Sequence, residues 1–152
     1  IFMKLGEALL KKDEYIKKID NLKKRVKNNI LINEDNENNE EPNDLIKEYI
    51  EVNNELSDLI MKINNKEHSA KLEIGVSISE AINIRDKLSR EMDIYKTILK
   101  EVNSKSYREA KNENKMTVLI NVKEIQNEFD KLSKAYNDID IMIQSSNWNT
   151  DL

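Results

Sequence analysis

The sequence predicts an all-α fold of long antiparallel helical hairpins in a coiled-coil-like four-helix arrangement, and three observations carry that prediction. Only two glycines and one proline occur in 152 residues, whereas sheet-rich folds need a turn cluster every ~8 to 12 residues. Charged residues make up 36% and hydrophobic residues 38% of the chain, a balance suited to helices with one apolar stripe and one solvated face. Apolar residues also recur in alternating steps of three and four over four separate stretches. The length fits one domain by the rough prior of one per ~150 residues, here residues 3–152. Ile1 and Phe2 ahead of Met3 read as vector-derived additions.

The first stripe runs through Leu5, Ala8, Leu9, Tyr15, Ile16, Ile19, Leu22, Val26 and Ile30. It predicts a helix ending near Ile32, roughly 42 Å long at 1.5 Å per residue. From Asn33 to Pro42 the periodicity stops and acids repeat, as in a solvated loop. Asn43 or Asp44 can cap a second helix, whose seam is Leu45, Tyr49, Val52, Leu56, Leu59 and Ile63. Charges at heptad spacing flank both seams. In an antiparallel hairpin they would set Arg25 opposite Glu48 and Lys18 opposite Glu55, with Lys11 left facing Lys62.

Hairpin one is thus expected over 3–68, followed by a glycine-containing connection over 69–78. Within it Leu72 to Ile78 reads as an extended turn in which Gly75 supplies a positive φ. Ser77-Ile78-Ser79-Glu80 matches a capping box that opens a third helix with seam Ile78, Ala81, Arg85, Leu88, Met92, Tyr95, Leu99 and Val102. Ile82, Ile84 and Ile98 broaden its apolar face, which should touch two neighbours or a partner chain. Asn103 to Lys115 is polar, although Tyr107-Arg108-Glu109-Ala110 could extend the helix. Residues 116–120 look extended and could pair with 72–78 as a minor two-stranded ribbon. Asn121 with Glu124 resembles another capping box for a fourth helix with seam Val122, Ile125, Phe129, Leu132, Tyr136, Ile139 and Ile143. Hairpin two then spans 79–144, and 145–152 is a polar tail.

Composition excludes several functions. The absence of cysteine removes disulfides, thiol catalysis and iron–sulfur clusters, and a single histidine, His68, rules out a His-rich metal site within one chain. There is no Gly-rich phosphate loop and no nucleophile elbow, so no enzyme activity, cofactor or metal is expected. A net charge of −4 gives no global attraction to nucleic acid or to an anionic bilayer. No stretch approaches the ~18 apolar residues of a membrane span, and a cytoplasmic location is expected. The abundance of Asn, Ile and Lys fits an AT-rich bacterial genome.

Four residues stand out as interaction or structural-polar candidates. Arg85 occupies a seam position, so its guanidinium must reach solvent, pair with an acid across the bundle or bind an anion. Asp86 beside it faces another direction and reads as a surface or inter-chain partner. Trp148, with Asn147 before it, is the only tryptophan; it could anchor a partner, fold back over a hairpin end or pack in a dimer. His68 reads as a dipole-complementing residue at a helix C-terminus. The basic flank of Lys23, Lys24, Arg25 and Lys27 reads as a solvated face, with nucleic-acid binding as the weaker alternative.

Met3-Lys4-Leu5-Gly6-Glu7-Ala8-Leu9, the segment from Leu72 to Ala81, the pair Arg85-Asp86 and the ending from Ile143 to Leu152 together resemble the septicolysin-like family of small bacterial helical proteins. The resemblance covers the chain from Met3 onward. It implies a helical protein of essentially uncharacterised biochemistry, and the family's name implies a haemolysin-like, membrane-contacting activity through amphipathic helices. The residues themselves favour a non-enzymatic scaffold or interaction protein that forms homo-oligomers through its helix faces.

Overall fold

The computed structural model describes residues 3–31, 40–113 and 117–152. Among these residues there are four long helices and one short one, and no strand: α1 (Leu5–Asn29), α2 (Pro42–Ser69), α3 (Ile78–Val102), α4 (Lys105–Asn112) and α5 (Val122–Asn149). The all-α class and the four long helices agree with the sequence. The chain forms two compact units, one of Ile1–Lys71 with Ser146–Leu152 and the other of Leu72–Ser145.

In the first unit α1 and α2 pack through their predicted seams. Leu22, Leu45 and Val52 are buried together, with Tyr15, Ile19, Val26 and Tyr49 against them. The register differs from the one the charges suggested. Lys18 pairs with Glu48 at 3.4 Å, not Glu55, and Arg25 pairs with Glu40, so the hairpin is set one heptad away. Flanking charges that repeat every seven residues look alike in registers seven apart, and the packing of Leu22 with Leu45 and Val52 decides between them.

Helix ends moved from their expected places for local reasons. α1 stops at Asn29 rather than Ile32, where the Asn29 side chain donates to the Arg25 carbonyl at 2.7 Å. α2 starts ahead of Asn43: Pro42 takes the first helical position and the Glu41 carboxylate accepts from the Asn43 N–H at 3.3 Å. Proline suits that position because its φ is already helical and its missing N–H would have no partner there. α2 then continues past Ile63 to Ser69, with Lys66 and His68 in a last turn whose dipole favours cations. Most of the expected acidic loop lies outside the described residues.

The second unit opens with a turn closed by Gly75 N–H donating to the Leu72 carbonyl (2.9 Å) and Leu72 N–H donating to the Val76 carbonyl (2.8 Å). Gly75 has φ +90°, the left-handed residue that such a short loop requires. This corrects the proposed ribbon: residues 72–76 satisfy one another's backbone groups, 117–120 form no strand, and Met116 lies outside the described residues. The Ser77–Glu80 capping box is formed, with Glu80 N–H donating to Ser77 Oγ at 3.0 Å and Ser77 N–H to Glu80 Oε2 at 3.4 Å. Glu124 N–H donates to Asn121 Oδ1 at 3.2 Å at the start of α5. α3 ends where the Asn103 side chain returns to the Leu99 carbonyl at 2.9 Å, so Tyr107 to Ala110 belongs to the separate α4.

α5 runs to Asn149, so most of the expected polar tail is helix. The stripe explains this: Ile139, Ile143 and Asn147 follow at helical spacing and all three are buried, so helical geometry continues to be rewarded beyond Gln144.

Two stability outcomes follow from these packing details. Leu22→Ala should cost about 2–5 kcal/mol, read as a lower urea midpoint. Gly75→Ala should cost about 1–2 kcal/mol with helical content retained in circular dichroism, because a Cβ there meets nothing within 4 Å and only the backbone is strained.

Candidate functional site

α1 begins without a side-chain cap on Lys4, and the first N–H groups of a helix need acceptors. The C-terminal residues supply one. The Thr150 carbonyl accepts from Leu5 N–H and the Met3 carbonyl accepts from Leu152 N–H, each at 2.8 Å. Lys4 and Asp151 form the antiparallel bridge between them, reinforced by an ion pair at 2.7 Å. The two ends of the described chain are therefore clasped within the first unit.

Trp148 completes this clasp from the last turn of α5. A Cβ added to Gly6 would lie 2.7–2.9 Å from ring atoms Cδ2, Cε2 and Cε3, so the indole lies flat against bare backbone and glycine is required for its approach. The ring remains 49% exposed, which leaves an aromatic surface at the clasp. Asn147 beside it is only 5% exposed, and its Oδ1 accepts no hydrogen bond from the described residues. Of the sequence alternatives for Trp148, the indole takes the one in which it folds back over a hairpin end.

Arg85 and Asp86 lie in the second unit. Arg85 Nη1 donates to Asp140 Oδ1 at 2.8 Å, and its Nε lies 3.7 Å from Asp86 Oδ1. Its side chain is 23% exposed. Burial works against the guanidinium charge, but the hydrogen bond and charge of Asp140, with the charges of Asp86 and Tyr136, outweigh it and raise the pKa. The acid across the bundle expected for Arg85 is thus Asp140. Sequence reading had not named it, although its place beside the seam residue Ile139 was the available signal. Asp86 is exposed and remains on the surface.

A groove of about 560 Å³, missed in the sequence, lies where Ile98 and Val102 of α3 face Val118, Leu119 and Ile120. The apolar run Val118-Leu119-Ile120 was its signal in the sequence. Glu101 is the charged residue in its lining. His68 is exposed in the last turn of α2. Within the basic flank of α1, Lys24 pairs with Asp20 at 3.0 Å and Arg25 with Glu40, and Lys18 one heptad before Arg25 pairs with Glu48. Among the described residues no three His, Asp or Glu side chains converge to hold a metal ion.

Gly6→Ala should destabilise the protein by about 1–3 kcal/mol through overpacking, with a red-shifted Trp148 emission as the ring lifts. The Arg25 hydrogen bond holds the Glu40 carboxyl below the usual carboxylate range. Its contribution is therefore present above the unfolded-state pKa and is lost as pH falls through the lowered folded-state value. Glu40→Gln should flatten that part of the acid limb in thermal melts taken across pH.

The same fold occurs in the crystal structure of a functionally unknown conserved protein from Corynebacterium diphtheriae. That structure aligns with a TM-score of 0.92 and 25% identity over 100% of this chain and 99% of the other. No curated protein matches. A family model described as a family of unknown function, DUF6847, matches residues 12–152. These findings replace the septicolysin-like resemblance, for which they offer no support. The segments that suggested it have structural roles in this fold: Leu72 to Ala81 is the turn and capping box, and Ile143 to Leu152 is the end of α5 and the clasp. With nearly its whole length matched, the chain belongs to the DUF6847 family, a family of unknown function.

Proposed function

We propose that the protein is a non-enzymatic, cytoplasmic helical module that self-associates and serves as a scaffold or interaction protein. The observation that carries this reading is the state of α3. Past Ala81, the seam residues Arg85, Leu88, Met92, Tyr95, Leu99 and Val102 are only half-buried, and Ile84 and Ile94 are 39% and 56% exposed. Long helices derive their stability in water chiefly from an apolar face buried against neighbours, and α3 leaves much of that face uncovered. The Arg85–Asp140 bond sets Ile84 of α3 level with Met142 of α5, which is also exposed.

The α1–α2 hairpin supports the same reading. Helical spacing puts Lys18 and Glu48 on one flank of that pair and Ile16, Ile46 and Ile50 on the other, and these three isoleucines are exposed. One charged flank and one apolar flank suit a hairpin that meets another helical surface. A second copy of the chain offers such a surface by symmetry.

Other readings have less support. Lys18, Lys24 and Arg25 are engaged by acids, which weakens the case for a nucleic-acid surface on α1. Among the described residues no helix is long and apolar enough to cross a membrane.

Light scattering coupled to size exclusion should show an oligomer at tens of micromolar protein, and a strict monomer would overturn the proposal. Ile84→Glu with Ile94→Glu should shift the population toward smaller species while leaving helical content unchanged, since both side chains already face solvent.

A further inference from the structure

The seams of α3 and α5 are strict heptads apart from one charged residue, Arg85. A slip of seven residues, about 10 Å at 1.5 Å per residue, would again set apolar positions against apolar positions. In the α1–α2 hairpin, likewise, heptad-spaced flanking charges can be matched in a register one heptad from the one adopted. We infer that the Arg85–Asp140 pair selects the register of α3 against α5, as a half-buried polar contact that only one alignment satisfies.

Arg85 reaches Asp140 at 2.8 Å in the observed register. A seven-residue slip in one direction replaces Asp140 by Ser133, beside Lys134, and in the other by Asn147, beside Trp148. Neither offers an acid. A guanidinium at 23% side-chain exposure then loses its hydrogen-bonded acid across the helix pair and keeps only the longer contact to Asp86 on its own helix, which is unfavourable for a partly buried charge. The apolar seam residues attract in more than one alignment, and the polar pair adds a contact that only one of them satisfies, in the manner of polar residues that set register in paired helices.

The test uses the full chain, which has no cysteine of its own, with spin labels on the axially offset pair Ser89→Cys and Asn127→Cys. Both labelled positions are exposed. Double electron–electron resonance on labelled chain diluted into excess unlabelled chain, so that pairs between copies do not contribute, should give one distance in the otherwise unaltered chain. In R85M/D140L, thermal stability should be equal or higher, and a second distance should appear that corresponds to the axial slip. The charge swap R85D/D140R should return the single distance, a readout that a merely stabilising contact would not move. One unchanged distance in R85M/D140L overturns the inference, as does a second distance that persists in the swap. If R85M/D140L fails to fold, R85Q/D140N carries the same two expectations.

Discussion

An isolated helix gains little net stability in water from its own hydrogen bonds, and most of what holds it comes from the stripe it buries against a neighbour. That constraint organises this protein. With two glycines and one proline the chain has few ways to turn, so it forms helices of 25 and 28 residues whose stripes must find partners along their whole length. In the first unit α1 and α2 meet this demand with Leu22, Leu45 and Val52. α3 meets it fully only at Ile78 and Ala81, and the seam residues of its remaining turns are half-buried.

Polar groups are placed where apolar burial is indifferent to the outcome. A heptad stripe can attract another heptad stripe in more than one alignment. Arg85 with Asp140 adds a contact that depends on alignment. The Ser77–Glu80 box and the Asn103 side chain add contacts that depend on where α3 begins and ends. The C-terminal residues perform the same task for α1, whose first N–H is met by the Thr150 carbonyl in place of a side-chain cap. Gly6 then matters for its missing Cβ, because the Trp148 ring occupies that space.

Membership of the DUF6847 family and the fold shared with the Corynebacterium diphtheriae protein place this architecture in a wider group. The features with functional potential are surfaces: the uncovered face of α3, the isoleucines flanking the α1–α2 seam, the half-exposed indole and the apolar groove beside residues 117–120. Surfaces of this composition suit association between helices better than chemistry on a small substrate, and this is why self-association is the reading proposed.

Much of the fold was legible because helical periodicity and capping are local properties. The seams, the positive φ of Gly75 and the Ser77–Glu80 box each depend on residues within a few positions of one another. The errors arose where distant residues decide. The α1–α2 register followed from packing across the hairpin, α5 outran its expected end because Asn147 continues the buried stripe, and residues 72–76 closed on themselves instead of pairing with 117–120. The candidate site divided in the same way. Arg85 was conspicuous as a charge on an apolar seam, whereas its partner Asp140 and the indole's place over Gly6 required the chain to be folded. The sequence by itself determined the helices and which face of each is apolar, since a 3.6-residue period needs no knowledge of the neighbour. Only the tertiary structure decided alignment and pairing, because periodic stripes look the same after every seven residues and a lone charge or glycine declares its partner only in three dimensions.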